Sequence, residues 1–153
     1  MKLENRCLVP ANIQNTWDLI MDIPRVATCV PGMQEITVDE DGNYHASLRV
    51  KLGPMGLTLS GSLHIVEQDS LGKEARFLIE ASDRRVGGAL RADLVMQLVQ
   101  QEEGQTEVVL NTDTTFIGKL GELGQPIIRR KANNTMQEFA DNLSKKVNQS
   151  YAN

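Results

Sequence analysis

The sequence predicts an α+β fold: a curved antiparallel sheet of about seven strands packed on one long C-terminal helix, with two short helices after the first strand. Three observations carry that expectation. From Met33 to Ile117 apolar and polar residues alternate with a period of two, and turn residues separate the runs. From Gly118 to Asn148 the spacing becomes helical over a stretch longer than any other of its kind here. The alternation also sorts the sheet into an oily face and a wet face, so the sheet needs one cover and the helix's apolar stripe needs one wall. A helix laid on a sheet satisfies both.

Taken in order, residues 2–9 make a short strand in which Leu3, Asn5, Cys7 and Val9 alternate against Glu4, Arg6 and Leu8. Pro10 ends it. The next twenty residues read as two short helices, with Ile13, Trp17 and Ile20 on one face of the first. Asp22 is placed to cap the second, and Pro24 suits its first turn. Pro31 and Gly32 stop it. The meander then runs through turns at Asp41–Gly42, Gly53–Pro54, Ser70–Gly72, Arg84–Gly88 and Gly104. Its oily face is read from Tyr44, Leu48, Leu57, Leu59, Phe77 and Ile79, and then from Leu94, Met96, Leu110 and Phe116. His45, His64, Arg91 and Asp93 fall on the wet face.

The closing stretch carries two apolar stripes. Leu120, Leu123 and Ile127 share one face, and Ile128, Ala132, Met136, Phe139, Leu143 and Val147 share another, about a quarter turn away. One straight helix cannot aim both at one wall. Gly124 and Pro126 sit where the phase changes, so a kink is expected there. Lys145 and Lys146 near the end suit the helix dipole.

A chain of 153 residues is expected to form one domain, 1–153, large enough to bury a real core. A formal net charge of −4 does not favour bulk attraction to nucleic acid or anionic lipid. The two cysteines, Cys7 and Cys29, suggest no disulfide framework, and no N-terminal run resembles a signal peptide or a membrane span. A reducing, cytoplasmic location is the expectation.

The order of strand, small helices, meander and closing helix is similar to that of the helix-grip superfamily of START, Bet v 1 and polyketide-cyclase-like proteins. The segment from Pro10 to Asp22 resembles the opening of that superfamily. Cys29 to Gln34, CVPGMQ, resembles the Cys-hydrophobic-Pro-Gly segment of the carbon monoxide dehydrogenase G-subunit (CoxG) family. Gly118 to Ile128, GKLGELGQPII, resembles that family's helix start, and Phe139 and Leu143 match its closing aromatic and leucine. The likeness runs from about residue 1 to about residue 147. Gly121 stands where the family often has Ala, and Pro126 departs from its pattern. Longer family members continue into a tail that can contact the membrane. The present sequence stops at Asn153, so the resemblance implies at most peripheral contact with the inner face of the cell membrane.

The resemblance implies a helix that closes the sheet without filling it, leaving a cavity for an apolar guest such as a quinone, an isoprenoid or a lipid. It also implies an accessory role beside the subunits of a molybdenum-containing CO dehydrogenase-type hydroxylase. On that reading the oily face named above becomes the cavity wall. Trp17, Cys29, Met33 and Thr112 would join it, with Leu120, Leu123, Ile127 and Phe139 from the helix. The pattern alone reads as a close-packed core instead.

Other features read first as structural. Cys29 to Gly32 is a helix stop or a gate beside the guest. Gly118, Gly121 and Gly124, spaced by three, permit close packing and are not a phosphate loop. Arg129, Arg130 and Lys131 form a basic cluster that reads as a solvated helix face. No catalytic residue, metal ligand set or cofactor motif is expected: neither histidine has a partner at metal-ligand spacing, and no carboxylate pair falls on the oily face. The rival reading is a small cyclase or dehydratase, which would need inward Tyr, His, Asp or Arg. Of these only Tyr44 is expected inward.

Overall fold

The computed structural model describes residues 1–151, so the expected domain runs two residues beyond the described ones. Seven strands form one antiparallel sheet: β1 (Lys2–Val9), β2 (Met33–Val38), β3 (Tyr44–Leu52), β4 (Met55–Asp69), β5 (Glu74–Asp83), β6 (Gly88–Gln100) and β7 (Thr106–Gly118). Their spatial order is β1-β7-β6-β5-β4-β3-β2, so sequence neighbours pair from β2 to β7 and β1 closes on β7. The register puts apolar partners opposite one another on the inner face: Leu48 with Leu59, Phe77 with Leu94, Leu90 with Phe116, and Met96 with Leu110. Irregularities between Met33 and Glu35 and between Ile65 and Glu67 bend the sheet.

Two short helices, α1 (Ile13–Met21) and α2 (Ile23–Ala27), follow β1. The Asn12 side chain caps α1 by accepting from the Asn15 backbone N–H at 2.8 Å. Asp22 stands at the cap of α2, but its side chain makes no capping bond there. Pro24, in the first turn, supplies the preset φ that starts that helix.

The closing stretch is broken rather than kinked. A 3-10 turn spans Gly121–Leu123, Gly124 takes a φ of 87°, and the long helix α3 (Gln125–Tyr151) begins afresh. Pro126 sits in the first turn of α3, where a missing N–H has no intrahelical partner to lose. The three glycines spaced by three therefore do not share a helix face. Gly118 ends β7 at a φ of 67°, where a Cβ would collide with the Gly87 carbonyl.

α3 lies beside β1. Asn5 Nδ2 donates to Asn133 Oδ1 at 3.2 Å, and Arg129 Nη1 donates to the Lys2 carbonyl at 3.3 Å. Further along, Asn142 Nδ2 donates to the Cys29 carbonyl at 3.0 Å. The core has two centres. One joins Val9, Leu19, Phe77, Met96, Val108 and Leu143 beneath α1 and the second half of α3. The other joins Leu52, Leu57, Leu59 and Leu120 at the opposite end of the sheet.

Candidate functional site

Between these two packed ends lies a cavity of about 480 Å³. Its floor is the inner face of β3 to β7, and its roof is the stripe Ile128, Ala132, Met136 and Phe139 of α3. Ile20 and Ile23 close one side, with Val26 and Val30 beside them. No lining residue carries a charge. The polar atoms come from Asn5, Thr112, Thr114 and Thr135. Among the described residues, no buried side-chain nitrogen or oxygen lacks a hydrogen-bond partner.

Of the residues expected on the wall, Leu48, Phe77, Ile79, Leu94 and Met96 line this cavity, as do Leu110, Thr112, Phe116 and Phe139. The others are elsewhere, and each has a physical reason. Ile127 is 38% exposed while Ile128 is 7% exposed, because α3 takes its phase from Gly124 onward and turns the first stripe away. Leu57, Leu59 and Leu120 are packed against one another as a plug, with Leu123 against them. Trp17 is buried in the core under α1, and the Lys73 ammonium stands 5.7 Å from its ring centroid. Tyr44 packs against that same core rather than the cavity. Met33 sits at the irregularity in edge strand β2, where the register shift takes it off the wall. Cys29 is buried in that same core, off the cavity wall, and burial pushes its thiol above the usual range.

The segment Cys29–Gly32 is tied on both sides. Its first carbonyl is held by Asn142, and the Gly32 carbonyl accepts from the Arg49 backbone N–H at 3.0 Å. Gly32 has a φ of 82° and lies so close to the Arg49 carbonyl that no Cβ fits. That anchoring makes it a fixed corner that presents Val30 to the cavity. Asn5, Ile23, Ala92 and Thr135 are wall residues that the cavity expectation missed. Asn5 was legible in the alternation of β1, whereas Thr135 needed the phase of α3.

The chemistry available on the wall is limited to packing and hydrogen bonding. Hydroxyls at Thr112 and Thr114 and the amide of Asn5 can meet one polar end of an otherwise apolar guest. The two histidines lie on the outer face, His45 Nε2 with Asp39 Oδ2 at 2.7 Å and His64 Nδ1 with Asn43 Oδ1 at 2.6 Å. Among the described residues, no group of three or more His, Cys, Asp or Glu side chains is placed to hold a metal ion. None of the helices among them is long and apolar enough to cross a membrane.

The architecture recurs in solved structures of low sequence identity. A conserved protein from Geobacillus kaustophilus superposes with a TM-score of 0.88 at 15% identity, covering 98% of this chain and 97% of that one. The Zhui aromatase/cyclase from Streptomyces sp. R1128 gives 0.70 at 12% identity, covering 99% and 96%. A START superfamily protein from Mycobacterium smegmatis gives 0.69 at 10%, covering 97% and 98%. These similarities establish a START/Bet v 1-like helix-grip fold. No curated protein matches the sequence. The family model for the carbon monoxide dehydrogenase G-subunit (CoxG) matches residues 7–148, nearly the whole chain, and the protein belongs to that family.

Proposed function

We propose that this protein is a single-domain, non-catalytic carrier of an apolar small molecule of the quinone, isoprenoid or lipid class. On this reading it serves as a cytoplasmic accessory to a molybdenum-containing CO dehydrogenase-type hydroxylase. The observation that carries the reading is the uncharged cavity of about 480 Å³ held open between two packed ends. Small-molecule sites are typically about 300–1,000 Å³ and mostly apolar, with a few placed polar groups. A void of this size lined by aliphatic and aromatic carbon would be filled in an ordinary core. The hydroxylase partner is inferred from family membership.

Similarity to an aromatase/cyclase gives the enzyme reading its one support. Cyclisation by acid–base chemistry needs a titratable group within hydrogen-bond reach of the substrate, and the wall offers amide and hydroxyl groups only. Carriage is the reading these residues favour.

The test is to purify the protein from its native host, denature it, extract with organic solvent and identify the extract by mass spectrometry. One quinone, isoprenoid or acyl compound at near-equal molar ratio to protein supports carriage. A chemically altered product released on incubation with a candidate substrate would move the assignment to the enzyme.

A further inference from the structure

β1 leaves a bare backbone edge beside α3. It is an outermost strand of the sheet and pairs with β7 in unbroken register. The Thr114 N–H donates to the Met1 carbonyl at 2.8 Å. Hydrogen-bonded and non-bonded pairs alternate along an antiparallel ladder, so Leu3, Asn5 and Cys7 also turn their N–H and C=O groups to β7. Lys2, Glu4, Arg6 and Leu8 turn theirs the other way. The Lys2 carbonyl is met there by Arg129 Nη1 at 3.3 Å. Among the described residues, nothing meets the outward N–H and C=O groups of Glu4, Arg6 and Leu8.

That edge is one wall of a groove of about 510 Å³. The other wall is α3, where Asn133, Gln137, Asp141 and Ser144 recur every three or four residues and so share one helix face. From Asn133 to Ser144 the helix rises about 16 Å, the length of about five extended residues. Ala140 is buried along the groove, and Leu8 is 51% exposed on its strand side. The charge around it is unbalanced. Arg6 Nε lies 2.6 Å from Glu4 Oε1 and Arg6 Nη1 lies 3.3 Å from Glu107 Oε1, so one guanidinium answers two carboxylates. A third carboxylate, Asp141, accepts from the neutral Gln137 amide at 3.3 Å.

We infer that this groove is a strand-addition site for an extended, basic segment of a partner protein. Unpaired donors and acceptors on an edge strand are a template for one more strand, and they supply affinity whatever the added sequence. Glu4, Glu107 and Asp141 select lysine or arginine in that segment by charge, and the exposed Leu8 side chain takes an apolar neighbour. A second copy of this chain would bring the same excess of carboxylate to the edge, and like charges disfavour that pairing. The inference goes beyond the carrier reading and does not depend on it.

The experiment is amide hydrogen exchange on the whole chain, alone and with a set of pentapeptides in which lysine alternates with valine, leucine or threonine. In the free protein the amides of Glu4, Arg6 and Leu8 should exchange fast while those of Asn5 and Cys7 stay protected. Members of the lysine set should slow exchange at Arg6 and Leu8 at saturation. The same peptides with glutamate for lysine should bind on the order of 10-fold more weakly, and N-methylation of the peptide's pairing amides should abolish the protection. Asp141→Lys, at an exposed position on α3, should erase the preference for lysine over glutamate at unchanged melting temperature. The inference is overturned if no peptide of the set protects Arg6 and Leu8, if N-methylated peptides protect equally, or if Asp141→Lys keeps the lysine preference. It is also overturned if those amides are protected in the free chain and sedimentation shows a dimer, since a second copy then fills the groove.

Discussion

A hollow interior has a mechanical signature that a packed one lacks: truncating its wall is cheap. Leu120 and Leu94 make the contrast. Leu120 is 1% exposed and wedged among Leu52, Leu57 and Leu59. Truncation to alanine removes about three buried carbons at about 0.8 kcal/mol each, and the enclosed void adds a further penalty of about 24 cal/mol per Å³. The expected loss is about 3–4 kcal/mol. Leu94 faces the cavity and is half-buried. One flank of its side chain already lacks neighbouring atoms, so truncation widens an existing space without creating a new one. Its expected loss is about 1 kcal/mol. Urea unfolding of guest-free protein, at unchanged m-value, should resolve the gap of about 2 kcal/mol. In thermal melts the same gap is about 4–8 °C for a domain of this size. The reverse substitutions sharpen the test. Ala92→Leu, into the cavity, should be neutral or stabilising, whereas Ala75→Leu, at a site 1% exposed in the packed core, should cost about 1–3 kcal/mol. Equal losses for Leu94→Ala and Leu120→Ala would mean a solid interior and would refute this reasoning.

Three further outcomes are expected. Bonds from the Thr58 and Val86 backbone N–H groups, with that of Arg85, hold the Asp83 carboxyl below the usual carboxylate range. Its stabilising effect is therefore present above the unfolded-state value near 4 and is lost as pH falls through the lower folded value. Asp83→Ala should remove that part of the acid dependence in unfolding measured from neutral to acid pH. Burial, aided by Glu107, pushes the Cys7 thiol up to about 11 from 9.0, so native Cys7 should alkylate on the order of 100-fold more slowly than the same residue in urea at neutral pH. Asn142→Ala cuts the tie between α3 and the Cys29 carbonyl. It should destabilise by about 1 kcal/mol and raise hydrogen exchange locally in Cys29–Gly32, while the β6–β7 pairing keeps its protection.

Much of this architecture was legible because one face of a sheet needs a cover. Alternation assigned the inner faces of β3 to β7 correctly, since a strand's side-chain period is two and one slip would expose the whole set. Register with distant partners was less accessible. Leu57 and Leu59 alternate inward just as Leu48 does, yet the first two are sealed by Leu120 while Leu48 faces the cavity. No local pattern records which part of an oily face a helix leaves uncovered. Ile127 was misplaced because helical phase was carried across Gly124, where the backbone breaks and restarts. Trp17 and Tyr44 are large and apolar enough for either a wall or a core, and the packing of α1 decided for the core. Arg129 and Arg130 are exposed on α3, as a solvated helix face requires.

The most direct test of the central claim is titration of a short-chain quinone analogue into protein stripped of any copurifying guest, followed by calorimetry. One saturable site per chain, with a negative heat-capacity change, is the expected result. Ala92→Trp, which fills the cavity, should abolish binding, and Leu120→Ala at the packed end should leave it intact in the folded fraction. No saturable binding of quinone, isoprenoid or fatty-acid probes to folded, stripped protein would contradict the carrier reading.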